Sequence, residues 1–305
     1  MTKIKLFAAS LIASLICTVS MAASPQVVTS GHGNSKIYIL DLESQSIVWE
    51  IPLDKGEACN SIHLVNGGKN ILFSTQLSAK LVSIATKEVL WEMSVDSSKE
   101  ELHSVYPHKN GGASIFISGT PARVVELSKD LKTTTEKFTF ETGGTNKHAM
   151  FRQCIIAKNG NYLISMFPKK SIVEMTPEGK TVNIFEVGGT AFGARETSKG
   201  TLMLGMGDKH SIIEYDPNMM GIVREIKGFN NKEISLLYMS QVEEISKGKY
   251  MSAIWSGHNK KPLTSPAPQL FIFNDDLEIE WMWDNKDVNI GKISAFHYSK
   301  KPIVK

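Results

Sequence analysis

Histidine and arginine side chains recur near the ends of short apolar runs, and their chemistry suits an anionic ligand. Those that recur in this way are His32, His103, His148, His210, His258, Arg123, Arg152 and Arg195. A guanidinium group binds carboxylate or sulfate through two parallel hydrogen bonds. Imidazole can accept or donate a proton near neutral pH. This set therefore predicts a site for a small anion, such as a uronate-containing or sulfated saccharide.

The same residue types also suit β-elimination, in which arginine neutralises a carboxylate and histidine removes the neighbouring proton. His103 and His148 are the candidate catalytic residues for such a reaction. A structural role is the alternative, because polar residues at strand ends often bond only water or nearby backbone. No histidine or cysteine has the short spacing of a metal site, so no metal is predicted. No phosphate-binding or dinucleotide-binding loop occurs, so no cofactor is predicted.

The elements that must position these residues are β-hairpins that repeat along the chain. Ile37–Leu42 is followed by a polar turn and Ile47–Ile51, and Leu81–Ile84 is followed by a turn and Val89–Met93. Equivalent positions in the six copies are 49, 91, 136, 184, 224 and 281. Apolar alternation with turn residues between the runs is typical of antiparallel hairpins.

A second hairpin precedes each of these and carries its own Gly turn, such as Asn66-Gly67 or Asn110-Gly111. Four short strands in each unit of about 40–50 residues are typical of β-propeller blades. The sequence thus predicts an all-β, six-bladed β-propeller of four-stranded antiparallel blades, forming one domain over residues 23–305. Gln26–Ser30 lacks an inner partner strand, and residues 292–298 form an unpaired strand at the other end. We expect these two segments to pair and to close the ring, which removes exposed sheet edges.

Aligning the repeats predicts that the starts of the inner strands and the loops between the second and third strands share one face of the propeller. Loops on a rigid scaffold commonly carry function. The predicted ligand-binding residues on this face are His32, His103, His148, Arg152, Arg195, His210, Gln241 and His258.

The first residues predict export. Lys3 and Lys5 precede an apolar run from Leu6 to Val19, and the small residues Ser20 and Ala22 predict cleavage after Ala22. Residues 1–22 are therefore interpreted as a signal peptide, and the mature protein as periplasmic or secreted. Because this run is short for a membrane span, no integral span is predicted. Cys59 and Cys154, which remain after cleavage, are predicted to be free and buried.

Composition excludes other classes of protein. The chain has 305 residues, of which 42% are hydrophobic and 21% are charged, with a formal net charge of +3. These values are typical of a globular protein. There is no basic excess or charged tail to bind nucleic acid, so no nucleic-acid partner is predicted. The expected partner is a small molecule, a glycan or a protein, and the expected oligomeric state is a monomer.

The hairpins of the type Asp41…Trp49-Glu50 resemble the repeats of PQQ-like, quinoprotein-type propellers. Trp91 and Trp281 occupy the equivalent position. Phe192-Gly193-Ala194-Arg195 and His103-Ser104-Val105 are similar to segments of exported bacterial propellers of unsettled function, and more weakly to arylsulfotransferase propellers. The resemblance does not carry PQQ binding to this chain, because the vicinal cysteine pair and the eight blades of the true dehydrogenases are missing.

Two functional hypotheses follow. The first is an exported binding or interaction scaffold with a small anionic or carbohydrate ligand at the mouth of the central channel. The second is an exported enzyme, similar to a polysaccharide lyase or an arylsulfotransferase, that uses histidine and arginine at that mouth. The first is preferred because a fold alone does not imply chemistry.

Overall fold

The structure is a computed structural model that describes residues 24–258, 266–283 and 285–304. The predicted signal peptide, residues 1–22, lies outside the described residues. Within them, six sheets each contain four antiparallel strands, and helical structure is limited to two single 3₁₀ turns, Asn66–Gly68 and Lys147–Ala149. The predicted all-β, six-bladed propeller is confirmed.

The blades follow one another along the chain. Blade 1 takes β1 (Gln26–Ser30), β2 (Lys36–Asp41) and β3 (Ser46–Pro52). Blade 2 contains β4 (Cys59–Val65), β5 (Asn70–Thr75), β6 (Ser78–Ser83) and β7 (Val89–Ser94). Blade 3 contains β8 (Glu101–Pro107), β9 (Ala113–Ser118), β10 (Ala122–Leu127) and β11 (Thr134–Phe140).

The second half of the ring repeats this pattern. Blade 4 contains β12 (Phe151–Ile156), β13 (Tyr162–Met166), β14 (Ser171–Met175) and β15 (Thr181–Glu186). Blade 5 contains β16 (Ala194–Glu196), β17 (Leu202–Gly205), β18 (Ile212–Asp216) and β19 (Gly221–Ile226). Blade 6 contains β20 (Tyr238–Ser246), β21 (Lys249–Trp255), β22 (Leu270–Asn274) and β23 (Ile279–Met282), and β24 (Ala295–Ser299) follows.

The last strand closes the ring. β24 pairs antiparallel with β1, with Val28 opposite His297 and Thr29 opposite Phe296. Blade 1 is therefore ordered β24-β1-β2-β3, and its inner strand comes from the other end of the chain. The inner strands then contact one another in the closed cycle β4, β8, β12, β16, β20 and β24. The predicted ring closure is thus confirmed, although the strand begins at Ala295 rather than at residue 292.

The apolar core lies between neighbouring blades. Each blade has both faces covered, so its middle strands are buried along most of their length, as in the fully buried β9. Phe116 of blade 3 packs with Ile164 of blade 4, and Val28 of blade 1 packs with Ile62 of blade 2. The outermost strands face solvent, and β7 alternates exposed with partly buried residues. Six such apolar clusters of the described residues hold the ring.

Two tryptophans of the repeat join adjacent blades. The indole N–H of Trp49 donates to the backbone oxygen of Ile84 in blade 2 at 3.0 Å. The indole N–H of Trp281 donates to the backbone oxygen of Leu42 in blade 1 at 3.0 Å. Because a buried indole N–H needs an acceptor, these bonds fix the packing of one blade on the next. Both side chains therefore serve the scaffold.

Candidate functional site at the mouth of the central channel

Four inner strands are irregular near their starts, and the irregularity determines which side chains face the channel. The pairing of β8 with β9 shifts register between Leu102 and Ser104, which leaves His103 outside the ladder. Similar shifts lie between Phe151 and Cys154, between Cys59 and Ser61, and between Met239 and Val242. A β-bulge re-aims the extra residue and is frequent next to binding sites.

Three buried amide side chains, Asn60, Gln153 and Gln241, cross the channel and form what we call the amide layer. Gln153 Nε2 donates to Gln241 Oε1 at 3.0 Å and to the backbone oxygen of Asn60 at 3.2 Å. Gln241 Nε2 donates to the backbone oxygen of Phe296 at 2.8 Å, and Asn60 Nδ2 donates to that of Leu102 at 3.0 Å. The amide layer separates the two mouths of the channel.

Gly193 makes space for this layer. A Cβ at Gly193 would lie 2.9 Å from Cβ of Gln153, which is closer than side chains normally approach. Blade 5 therefore contributes no side chain to the layer at this position, and Gln153 occupies that volume.

The mouth at the starts of the inner strands is what we call the rim. Its residues are His32, Glu101, His103, His148, Arg152, Tyr238, Trp255 and His258. Glu101 lies between two imidazoles: Oε2 is 2.9 Å from Nδ1 of His148 and 3.4 Å from Nε2 of His103. His148 belongs to the 3₁₀ turn Lys147–Ala149, and its backbone N–H donates to the side chain of the N-cap residue Asn146 at 3.0 Å. One carboxylate thus connects blade 3 to the turn that precedes blade 4.

Burial governs the charge state of this group. Burial lowers the pKa of His103 to about 4, against the opposing hydrogen bond to Glu101, so that His103 is neutral near pH 7. For Glu101, burial raises the pKa, but the hydrogen bonds from His103 and His148 outweigh it, and the pKa falls below its usual value. His103 Nε2 also lies 3.2 Å from the backbone oxygen of Lys147, whereas its buried Nδ1 has no partner among the described residues.

Arg152 projects a partly unused guanidinium group into the rim. Its Nη1 donates to the backbone oxygens of His148 and Phe151. The group also lies over the ring of Phe167, 4.9 Å from the ring centre. In the described part of the chain, no hydrogen bond or ion pair engages Nε or Nη2 of Arg152. Two donors therefore remain available for a ligand.

Aromatic rings line the other half of the rim. The ring centres of Trp255 and His258 are 4.7 Å apart, and Tyr238 packs edge-on against both. The indole N–H of Trp255 donates to the backbone oxygen of His32 at 2.6 Å, and His258 Nδ1 pairs with Asp208 at 2.9 Å. Burial raises the pKa of Tyr238 to about 12, so its hydroxyl stays protonated.

The structure places the residues that were predicted for one face in different parts of the channel. His32, His103, His148, Arg152 and His258 come together in the rim. Gln241 lies deeper, in the amide layer, and His210 bonds the backbone oxygen of Leu237 through Nδ1 at 2.9 Å.

Arg195 lies on the far side of the amide layer, which corrects the prediction that it shares the face of the rim. Its Nη2 donates to Gln153 Oε1 at 2.7 Å, and its Nε is 3.7 Å from Glu243. The alignment of repeats could not show this, because β16 has only three residues and Arg195 follows the glycine that admits Gln153.

A large cavity opens at this opposite mouth, which we call the funnel and define by His63, Tyr106, Arg195, Glu243 and His297. Its volume is about 1370 Å³, and the Gly turns of blades 2, 3 and 4 form its outer edge. The ring centres of His63 and Tyr106 are 5.2 Å apart, and those of His63 and His297 are 6.1 Å apart. Burial lowers the pKa of both His63 and His297.

Sequence reasoning missed Glu101, Tyr238 and Trp255. Glu101 is two residues before His103 on one strand, so the alternation of strands could have placed both side chains on one side. The alignment of repeats places His148 and His103 on one face, but it does not indicate that His148 pairs with Glu101, because that contact joins different blades. Both remaining cysteines, Cys59 and Cys154, are free and buried, as predicted.

Comparison with known proteins identifies the family. The family model described as Mal s 1 allergenic protein-like matches residues 30–253. The chain belongs to this family. The matched region contains the whole rim except Trp255 and His258. No curated protein matches this member of the Mal s 1-like family.

Solved structures of similar fold accompany this match. A protein of unknown function from Bacteroides caccae is 27% identical, with a TM-score of 0.82 over 92% of this chain and 100% of that chain. A chain of a nidogen/laminin complex is 12% identical, with a TM-score of 0.63 over 90% of this chain and 98% of that one. A streptogramin B lyase is 14% identical, with a TM-score of 0.59 over 91% of this chain and 88% of that one. The last two likenesses show the fold alone.

In the described residues, no helix is both long and apolar enough to cross a membrane.

Proposed function

We propose that this Mal s 1-like propeller is an exported binding scaffold that holds a small anionic ligand, such as an acidic saccharide, at the rim. The scaffold is of the PQQ-like repeat type and acts without bound PQQ. Export follows from the predicted signal peptide.

The observation that supports this proposal is the pair of unpaired guanidinium nitrogens of Arg152. Nε and Nη2 of its guanidinium group have no partner among the described residues, and the side chain is held in place by two backbone oxygens and by Phe167. An unpaired donor next to protein is costly unless water or a ligand binds it. The bidentate geometry of guanidinium matches a carboxylate or a sulfate. Because the guanidinium group is already held in place, little conformational entropy is lost when a ligand binds it.

The surroundings of Arg152 suit a saccharide. The partly exposed Trp255 packs on the buried Tyr238 in the same rim, and aromatic rings combine apolar area with a polar edge. The imidazole of His32 has no side-chain hydrogen bond to the described residues, and Nε2 of His148 is likewise unengaged. These nitrogens can bond hydroxyl groups while Arg152 binds the acidic group.

The test measures binding of oligogalacturonate and of the matched neutral galactose oligosaccharides by isothermal titration calorimetry. We expect the acidic series to bind and the neutral series not to bind. The change Arg152→Gln should weaken oligogalacturonate binding about tenfold to a hundredfold, which corresponds to the loss of a charge-assisted bond of about 1.5–3 kcal/mol.

Arg123 is the matched control. It is an arginine near the same face, but its Nε and Nη2 both bond the carboxylate of Glu100, at 2.8 and 2.9 Å. Arg123→Gln should therefore leave binding unchanged. Equal binding of acidic and neutral sugars, no binding of either series, or equal losses in the two variants would each refute the anionic ligand.

A lyase-like enzyme is the second candidate, and the pairing of His148 with Glu101 favours it. A carboxylate that accepts from Nδ1 orients the imidazole and leaves Nε2 free to act as a base. In β-elimination, His148 would take the proton next to the substrate carboxylate, a carbon–carbon double bond would form, and the leaving oxygen would depart with its bonding electrons. His148→Ala should then abolish formation of the unsaturated product, measured by ultraviolet absorbance, while oligogalacturonate still binds.

Export has its own test. Expression of the full chain in a bacterial host, followed by fractionation and intact mass measurement, should find a processed protein that starts at Ala23 outside the cytoplasm. Retention of residues 1–22 on a cytoplasmic protein would contradict export and would leave the rim proposal to be decided by the binding experiment.

A further inference from the structure

Glu101, His103 and His148 bring one oxygen and two nitrogens to a common point in the rim. Their ligand atoms all lie within 4.8 Å of one another, with Oε2 of Glu101 at 2.9 Å from one imidazole and 3.4 Å from the other. We propose that these three side chains bind one divalent transition-metal ion, of which Zn²⁺ is the best match. This site shares His148 with the ligand site proposed above, but it does not require the anionic ligand.

The spacing is close to that of a loaded metal site. Zinc bonds to nitrogen and oxygen are about 2.0–2.2 Å long, so tetrahedral ligand atoms lie about 3.3–3.6 Å apart. Two of the three separations depart from that distance by about half an ångström or less. The third can shorten by rotation of His148, because this side chain is about half exposed on a single 3₁₀ turn.

The donor set decides the class of metal. Two imidazoles and one carboxylate are the ligands of many Zn²⁺ and Fe²⁺ sites that keep an open position. Hard cations such as Mg²⁺ and Ca²⁺ prefer oxygen ligands throughout. The closest further imidazole is His32, whose ring centre is 5.6 Å from that of His148. Water or a ligand would therefore fill the remaining coordination positions.

The supporting structure holds one half of the site in place and leaves the other half accessible. Glu101 and His103 are on β8, and His103 is buried at the bulge of that strand. His148 closes the site from the solvent side. A fixed pair with a movable third ligand gives the metal an entry path, which a wholly buried cluster would lack.

Arg152 is the charge that opposes the metal, since its guanidinium lies next to the site and donates through Nη1 to the backbone oxygen of His148. The carboxylate of Glu101 compensates for one unit of positive charge among the side chains of the rim. Removal of the Arg152 charge should therefore leave the affinity for the metal unchanged or increase it. The same change should weaken the binding of an anion. This opposite response separates the two proposals.

The experiment uses the full folded protein, stripped with chelator and dialysed against micromolar Zn²⁺, and it counts the bound metal by elemental mass spectrometry. Wild type and Arg152→Gln should retain about one Zn²⁺ per chain, and His148→Gln and Glu101→Gln less than about one tenth of that. Mg²⁺ should not be retained. His108→Gln is the matched control, because His108 also pairs with a glutamate, Glu126, at 3.1 Å, but lies at the funnel.

The outcomes are separable. A wild type that retains no Zn²⁺, a His148→Gln variant that retains it fully, or a His108→Gln variant that loses it equally would overturn the site. Circular dichroism must show each variant folded, and the partly exposed His148 keeps the test valid if Glu101→Gln does not fold. Because the metal would occupy Nδ1 of His148, loaded protein should also lack the β-elimination that requires Glu101 at that nitrogen.

Discussion

The two mouths of the channel each contain a buried or half-buried arginine, and the two arginines are used differently. In the funnel, Arg195 bonds Gln153 and lies beside Glu243, so that protein groups satisfy most of its charge. In the rim, Arg152 bonds only backbone oxygens through one nitrogen, and the remaining donors have no partner in the described residues. The funnel has a large cavity, yet the unpaired guanidinium nitrogens lie in the rim.

This difference teaches that the volume of a cavity is a poor guide to binding chemistry. A cavity arises wherever six strands diverge, whereas an unsatisfied, positioned donor is unfavourable unless something binds it. The rim is thus the better candidate for function, and the funnel arginine is the better candidate for stability. The following experiments test that division, beginning with the largest expected effect.

Deletion of residues 291–305 should disrupt the structure of the channel at both mouths. It removes β24, which supplies His297 to the funnel and the Phe296 oxygen that holds Gln241. Blade 1 then exposes the inner edge of β1 and the ring cannot close, so we expect insoluble protein. Solubility and circular dichroism provide the measurement. Soluble deletion protein with a normal spectrum would show that ring closure does not support the mouths.

Arg195→Met should destabilise the fold by about 2–4 kcal/mol, because it leaves Gln153 and Glu243 without their charged partner. Chemical denaturation followed by tryptophan fluorescence measures the free energy of unfolding. Binding of oligogalacturonate at the rim should be unaffected in the folded protein. A normal unfolding free energy combined with lost binding would reverse the assignment of the two arginines.

His63, which lies in the funnel, should make the stability of the fold depend on pH. Burial holds its folded pKa well below the unfolded value of 6.5, so the unfolded chain binds more protons once the pH falls below 6.5. Stability present above that pH is therefore lost on acidification between about pH 7.5 and pH 5.

Thermal melts of wild type and His63→Phe across this range test the assignment. The melting temperature of wild type should fall on acidification, and the fall should be smaller in His63→Phe, with His297 and the other titrating groups accounting for the remainder. His210→Gln, at an exposed histidine that bonds Leu237, should keep the wild-type slope. If the melting temperatures of wild type and His63→Phe fall equally with decreasing pH, His63 is not the cause of the pH dependence.

Arg152→Met should change the free energy of unfolding least, by less than about 1 kcal/mol, because the lost bonds go only to two backbone oxygens and the guanidinium has no ion-pair partner among the described residues. The same denaturation experiment measures it beside Arg195→Met. A loss as large as that of Arg195→Met would mean that both mouths serve stability.

The sequence predicts the fold better than the site, and the reason is physical. Alternating apolar residues and Gly turns fix six hairpin pairs, and the missing inner strand of blade 1 predicts the role of β24. The site depends on bulges, which break the two-residue alternation at His103, Arg152 and Gln241 and cannot be located from apolar pattern alone. The meeting of Glu101 with His148 depends on contacts between blades, which local patterns do not encode.

The amide layer means that the centre of this propeller is not a conduit. Asn60, Gln153 and Gln241 are each at least 93% buried and are bonded to one another or to backbone, so a guest at one mouth must leave by the route through which it entered. Ligands bound at the rim and in the funnel would therefore reach solvent by separate routes.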